Sequence, residues 1–184
     1  MTYLEKLRIC LDRIGTFTDE ELILIYESAV ICKVKKNEII LDVGQVCNSF
    51  FFILSGACYQ YQMDDIEERI IDLFTEYDCA LNQVSFISRK PSDDVIRAFI
   101  DCEILVLNID SVHKLIKISN SFLQFGKLMN SQNRLVFFDN SMSPVDKYNH
   151  ILVNNPTFIQ IFPLKYIASF LKITPETLSR VRAL

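Results

Sequence analysis

The chain has 184 residues, half of them hydrophobic and 23% charged. That balance supports one sizeable packed domain or two small ones and excludes global disorder. Four Gly and five Pro exclude collagen-like and linker compositions, and the longest apolar runs, such as Phe50–Leu54 and Ile104–Leu107, fall far short of the roughly 18 residues a membrane helix needs. Residues Met1–Leu11 carry Glu5, Lys6 and Arg8 without a continuous apolar stretch, so no secretory leader is expected. The chain reads as cytoplasmic, with no membrane partner.

The formal net charge is −4, which argues against a general nucleic-acid coat protein. Its distribution is uneven. Pro163–Leu184 holds Lys165, Lys172, Arg180 and Arg182 against Glu176 alone, a local +3 that leaves −7 on the other 162 residues. An acidic body with a basic tail fits a small tip that contacts phosphate. The six cysteines (10, 32, 47, 58, 79 and 102) form no C-x-x-C pair and have no neighbouring His. Zinc and iron–sulfur sites need closer ligand pairs, so the thiols read as small core hydrophobes. Cys10, near a chain end, is the one candidate for thiol-based sensing.

In chain order, Thr18-Asp-Glu-Glu21 is a capping box that opens a helix running to about Ser28. Short strand-like runs follow at Ala29–Val34, Glu38–Leu41, Ser49–Ser55, Ala57–Gln62, Glu68–Phe74, Asp94–Ile100 and Glu103–Asn108. Turn signals punctuate them at Lys35-Lys-Asn37, Asp42-Val-Gly44, Ser55-Gly56, Met63-Asp-Asp65 and Lys90-Pro-Ser-Asp93. This pattern predicts an antiparallel sandwich or jelly roll, with no parallel βαβ alternation. In strand Asp94–Ile100, Arg97 is expected on the solvated face.

After Asp110 the periodicity turns helical. Phe122, Phe125, Met129, Gln132 and Val136 fall at a/d spacing, which reads either as a homodimer seam or as packing on the chain's own β domain. Ser143-Pro144 starts another helix, ending near Asn155-Pro156. Two short helical units then follow, Pro163–Leu171 and Pro175–Arg182, separated only by Lys172-Ile-Thr174. Thr174-Pro175 is again a cap with a first-turn proline.

Two short helices so joined suit a helix-turn-helix whose second helix enters the major groove of double-stranded DNA. On that helix Leu178 and Val181 share the buried side, leaving Glu176, Thr177, Ser179 and Arg180 outward. Arg can grip guanine, Glu can accept from cytosine, and Thr can meet a base edge or a phosphate. The other reading is a charged solvent face on an ordinary helical hairpin.

Ile161–Arg182, in particular Pro163-Leu-Lys-Tyr-Ile-Ala-Ser-Phe-Leu171 and Ile173-Thr-Pro-Glu-Thr-Leu-Ser-Arg180, resembles the helix-turn-helix of the Crp/Fnr family of bacterial transcription regulators. Val34–Gly44, Phe51-Phe-Ile-Leu-Ser-Gly56 and Ala98…Cys102-Glu-Ile-Leu-Val-Leu107 are similar to that family's cyclic-nucleotide-binding β-roll. The resemblance implies an α+β fold. It would comprise a β-roll sensor domain with an N-terminal helix (1–110), a long dimerisation helix (111–140) and a helix-turn-helix domain (141–184). It implies a homodimeric, sequence-specific regulator with DNA, a small-molecule effector and RNA polymerase as partners. Glu176 and Arg180 occupy positions the family uses on base edges, and Thr174 and Thr177 positions near phosphate. Lys165, Lys172, Ser179 and Arg182 complete the candidate DNA surface. Lys172 replaces the family's turn glycine.

The family holds a cyclic phosphate with a Gly-Glu pair and a later Arg-Ser pair. Here Leu81-Asn82 and Ser92-Asp93 stand at those places, so the neutralising guanidinium is missing and Asp93 and Asp94 would repel an anion. The pocket candidates are Leu81, Asn82, Gln83, Ser92 and Asp93, for a different small ligand or for none. His113 and His150 neighbour no nucleophile motif, and no Gly-rich phosphate loop, G-x-S-x-G or H-E-x-x-H occurs. No enzyme activity, cofactor or metal is expected. The alternative function is a ligand- or protein-binding module of the same fold that does not bind DNA.

Overall fold

The computed structural model describes residues 1–130 and 142–183. Helix α1 (Tyr3–Asp12) opens on a capping box in which Thr2 and Glu5 bond each other's backbone amides. The same spacing recurs at Thr18 and Glu21 ahead of α2 (Asp19–Glu27). The first box is the signal the sequence reading passed over. Eight strands follow: β1 (Val30–Val34), β2 (Ile39–Leu41), β3 (Ser49–Ser55), β4 (Cys58–Asp64), β5 (Glu67–Phe74), β6 (Cys79–Ala80), β7 (Val95–Ala98) and β8 (Cys102–Asn108), with α3 (Gln83–Ser88) between β6 and β7. Each expected strand region carries one, and among the described residues β6 is the only addition.

The strands form two antiparallel four-stranded sheets, ordered β1-β8-β3-β6 and β2-β7-β4-β5. Their inner faces meet over Phe50, Phe52, Cys58, Ile96, Ala98 and Ile104. Both outer faces are covered as well. Helix α1 lies on β3, where Lys6 Nζ donates to the Leu54 carbonyl at 2.9 Å. That is why β3 is buried along six consecutive residues instead of alternating. One turn is restricted to glycine. Gly56 has φ +94°, and a Cβ there would lie 2.3 Å from the Asp101 carbonyl oxygen.

The long helix expected after Asp110 is not continuous. Helix α4 (Ile109–Ile118) ends at Ser119, whose backbone is extended (φ −147°, ψ 138°). The chain resumes as a 3-10 segment, Asn120–Asn130. Glu21 anchors that break, accepting from the hydroxyls of Ser119 (3.2 Å) and Ser121. The 3-10 segment folds back on the roll, so the seam reading of its aromatics needs correction. Phe122 and Phe125 are 0% and 2% exposed within a single chain. Phe125 packs against Phe17, Phe50 and Phe52 at ring distances of 5.8, 5.8 and 6.5 Å. Of the two readings of that stripe, packing on the chain's own core holds for these two residues, and they are not free for a partner. Met129 is half-buried against the same core. Gln132 and Val136 lie outside the described residues.

The C-terminal unit holds four helices: α5 (Pro144–Asn154), α6 (Pro156–Ile161), α7 (Leu164–Phe170) and α8 (Pro175–Arg182). Ser143 caps α5 and Pro144 is its first residue. The unit packs on the outer face of the second sheet, where Tyr59, Tyr61, Ile70 and Val95 share one core with Phe158, Phe162 and Ile167. Replacing Phe125 by Ala is expected to cost about 3–5 kcal/mol, because its cavity would lie where the roll and the 3-10 segment meet. Denaturant unfolding followed by circular dichroism measures that loss.

Candidate DNA-reading helix pair and ligand cradle

The turn between α7 and α8 is built by three contacts. Lys172 takes the left-handed conformation (φ 55°). Its amide reaches the Ser169 carbonyl, and the Ile173 amide reaches Ala168, each at 3.0 Å. This is the conformation that the family's turn glycine would adopt without strain. The turn is braced from below by Lys147 on α5, a lysine only 7% exposed whose Nζ donates to the Leu171 carbonyl at 3.3 Å. A cation at the C-terminal end of α7 complements that end's partial negative charge. Nothing in the sequence reading singled out Lys147. Its sequence neighbours, Asp146, Tyr148 and Asn149, give no local cue to its burial.

Helix α8 starts at its cap, where the Thr177 amide donates to Thr174 Oγ1 at 3.2 Å. Leu178 is 1% exposed and anchors the helix. Glu176, Ser179, Arg180 and Arg182 are exposed, and Thr177 and Val181 are half-buried. The Glu176 carboxyl sits below its usual range, held by its own backbone amide, the Thr174 hydroxyl and the charge of Arg180. It therefore presents an ionised acceptor. Arg180 Nη2 reaches Thr177 Oγ1 at 3.4 Å. Lys165 is exposed on α7 with its ammonium 5.4 Å from the Tyr166 ring centre. Lys165, Lys172, Thr174, Glu176, Thr177, Ser179, Arg180 and Arg182 are thus gathered on one two-helix unit.

The second candidate region lies inside the roll. Asn82 and Ser92 are each 2% exposed, and they meet: Asn82 Nδ2 donates to Ser92 Oγ at 2.6 Å. Asn82 also caps α3 through its carbonyl oxygen. The remaining candidates diverge. Leu81 is half-buried in the core, Gln83 turns to the Met129 carbonyl, and Asp93 is exposed. The acid that enters the cradle is Asp94, one position later. It accepts from Gln60 Nε2 at 2.5 Å and Asn82 Nδ2 at 3.3 Å, while its Oδ1 is buried with no partner. The chain bends at Asp93–Asp94, where the Ser92 hydroxyl bonds the Asp94 carbonyl and amide at 2.7 and 3.0 Å, and this bend leaves Ser92 and Asp94 buried and Asp93 exposed. The cradle is therefore lined by a carboxylate and neutral amides, the reverse of what a cyclic phosphate requires. Among the described residues no group of three or more His, Cys, Asp or Glu is placed to hold a metal ion, and no helix is long and apolar enough to cross a membrane.

Two further expectations change. Arg97 is not a solvated strand residue: its Nη1 pairs with Glu68 Oε1 at 2.7 Å, and its guanidinium lies 4.8 Å from the Tyr61 ring centre. The face it occupies is covered by the C-terminal helices. Cys10, the thiol-sensing candidate, is 3% exposed, and burial pushes its thiol up to about 12. A thiol so protonated is a poor nucleophile.

Residues 31–119 match the model of the cyclic nucleotide-binding domain. The fold defines the class, an antiparallel roll of the cyclic-nucleotide-binding type with flanking helices and a helical C-terminal unit. Solved structures with this architecture include FixK2 from Bradyrhizobium japonicum, at TM-score 0.66 and 16% identity over 84% of this chain and 83% of that one. The Thermus thermophilus catabolite activator protein matches at TM-score 0.60 and 15% identity, over 95% and 85% of the two chains. The N-terminal domain of a transcriptional regulator from Streptomyces coelicolor A3(2) matches at TM-score 0.56 and 12% identity, over 78% and 99%. At such identities the likeness is one of fold. No curated protein matches the chain by sequence.

Lys172→Gly is expected to stabilise the protein by about 1 kcal/mol, by relieving the left-handed side chain; thermal or denaturant unfolding reads it. A second expectation concerns pH. Burial raises the Cys10 thiol to about 12 and the Cys102 thiol to about 11, both from 9.0. An acid weakened by folding contributes stability that is complete below its unfolded value and disappears as pH rises toward its folded one. Stability is therefore expected to fall between about pH 9 and pH 12, with a shallower decline in Cys10→Ala. Native iodoacetamide labelling at pH 8 should spare Cys10.

Proposed function

We propose that the chain is a sequence-specific regulator that binds double-stranded DNA with α8 in the major groove. The observation that carries this reading is the helix pair itself. A left-handed turn at Lys172 sets α8 against α7, Leu178 buries one side, and the opposite side offers Glu176, Ser179, Arg180 and Arg182 to solvent. Arg180 is placed to grip guanine O6 and N7, and Glu176 to accept from cytosine N4. Thr174, Thr177, Lys165 and Lys172 would meet backbone phosphates. The likeness to the fold of a catabolite activator protein and of FixK2 supports a regulator built on a cyclic-nucleotide-binding roll. A two-fold homodimer would address half-sites about 34 Å apart. Its contacts would have to come from residues other than Phe122 and Phe125; Leu123, 59% exposed on the same segment, is the first to test.

The roll, in this reading, does not use a cyclic phosphate as effector. Ser92 and Asn82 bond each other, Asp94 presents a carboxylate, and among the described residues no guanidinium bonds to this group. A small molecule with different chemistry, or no ligand, then sets the state of the helix pair, with RNA polymerase as the downstream partner the family resemblance implies.

The test is selection of bound duplexes from a random library at about 50 mM salt and again at higher salt. An enriched two-fold site whose affinity falls steeply with ionic strength is the expected result. Arg180→Ala should then cost about 1–3 kcal/mol on that site and relax one base position. Full affinity with unchanged preference in that variant would refute the assignment of α8. Absence of binding at 50 mM salt would favour a ligand- or protein-binding module.

A further inference from the structure

The helix pair does not stand clear of the roll. Strand β5 is the outermost strand of its sheet, and α7 lies along it. The Ile70 amide, on the edge of β5, donates to Ser169 Oγ on α7 at 2.9 Å. Tyr166, on the same helix, meets Tyr59 and Phe99 edge-on at ring distances of 5.1 and 5.4 Å. Beside this contact the β4–β5 hairpin and the helix pair face each other across a cleft of about 700 Å³. One wall carries Ile66, Glu67 and Glu68. The other carries Lys165, Ser169 and Pro175, the first residue of α8. The hairpin end is strongly acidic, with exposed Asp64, Asp65 and Glu67, and Ile66 at its tip is 91% exposed.

Resting on the DNA-binding reading above, we propose that the β4–β5 hairpin is an intramolecular latch that holds α7 and α8 in a state unable to engage DNA. Lys165 on α7 and Pro175 at the start of α8 line the cleft shared with the acidic hairpin, so a phosphate drawn to Lys165 would have to enter that cleft. A duplex that brought its backbone to Lys165 would meet Glu67 across that cleft, with Asp64 and Asp65 lining the adjoining cleft beside Ser169. Engagement of DNA therefore requires the helix pair to leave β5, breaking the Ser169–Ile70 bond and the aromatic contacts of Tyr166. The latch contains two separable parts: repulsion from the hairpin charges and adhesion of α7 to the edge of β5. Glu68 belongs to neither part, because it is occupied by Arg97 and by the Tyr59 hydroxyl at 3.2 Å.

The experiment uses the full chain and four forms. They are the wild type, an Asp64→Asn, Asp65→Asn, Glu67→Gln hairpin variant, Ser169→Ala, and a charge control, Asp12→Asn, Glu20→Gln, Glu27→Gln, whose exposed acids lie on or between α1 and α2. The probe is a duplex selected from a random library with the hairpin variant at low salt. The hairpin variant and Ser169→Ala are each expected to bind it about fivefold or more tighter than wild type, and the control like wild type. Hydrogen exchange at the Ile70 amide of wild type is expected to accelerate when the duplex is added. The latch is overturned if the control gains as much as the hairpin variant, or if Ser169→Ala leaves affinity unchanged. It is equally overturned if Ile70 stays protected with the duplex bound. In those cases DNA binding itself survives. If no form binds any duplex, the DNA-binding reading fails and the latch fails with it.

Discussion

The outer edge of β5 carries amides and carbonyls that no neighbouring strand pairs, and the fold has to satisfy or shield them. Here a helix does so. Ser169 accepts from the Ile70 amide, and Tyr166, Tyr59, Phe99 and Phe162 close an aromatic seam above the sheet. The same helices share one core with Tyr59, Tyr61 and Val95 on the outer face of the second sheet, where Arg97 lies between Glu68 and the Tyr61 ring. The C-terminal helices are thus part of the core of the roll as well as a separate tip. Any motion of the tip has to exchange that buried surface for something of comparable value.

The two candidate regions are electrostatic opposites. The α7–α8 pair collects most of the basic charge of the C-terminal stretch, while the roll keeps an acidic hairpin outside and Asp94 inside. A carboxylate with one oxygen unpartnered at 9% exposure is a costly feature to retain in a core. Gln60 and Asn82, arriving from β4 and from the cap of α3, offset part of that cost through their amide donors. The roll thus keeps a buried acid at the cap of α3, held by neutral amides alone among the hydrogen bonds described.

The strands, the two-helix unit and its turn were legible because each depended on local chemistry. A short apolar run closed by Ser55-Gly56 marks β3, a cap and a proline mark α8, and Lys172 stands where a left-handed residue is needed. What the sequence concealed were choices between partners. The spacing of Phe122 and Phe125 suits a second chain as well as it suits Phe17, Phe50 and Phe52. Only the break at Ser119, where the backbone turns extended, decides for the chain's own core. Similarly, the alternation of Arg97 with Ile96 and Ala98 marks two faces of β7 but does not say that helices from the far end of the chain cover the second. Asp93 was named among the pocket residues, but the bend that Ser92 makes with the Asp94 backbone leaves Asp93 exposed and turns Asp94 inward, which spacing alone does not show. Lys147 was missed because nothing local says that a lysine will find the carbonyl of Leu171.

The pairing of β1 has a consequence for how the protein is made. Val30–Val34 runs antiparallel to Cys102–Val106, and β3 pairs with the same strand β8 from its other side. Strand β8 is therefore an inner strand of the first sheet, and among the described strands it is the last to leave the ribosome. At roughly 5–20 residues per second, β1 and β3 wait several seconds for their common partner. During that interval Phe50–Leu54, an uninterrupted apolar run, has no sheet to enter. Newly synthesised chains are most open to misassociation in this window, and a chaperone that binds short apolar stretches would find its target there.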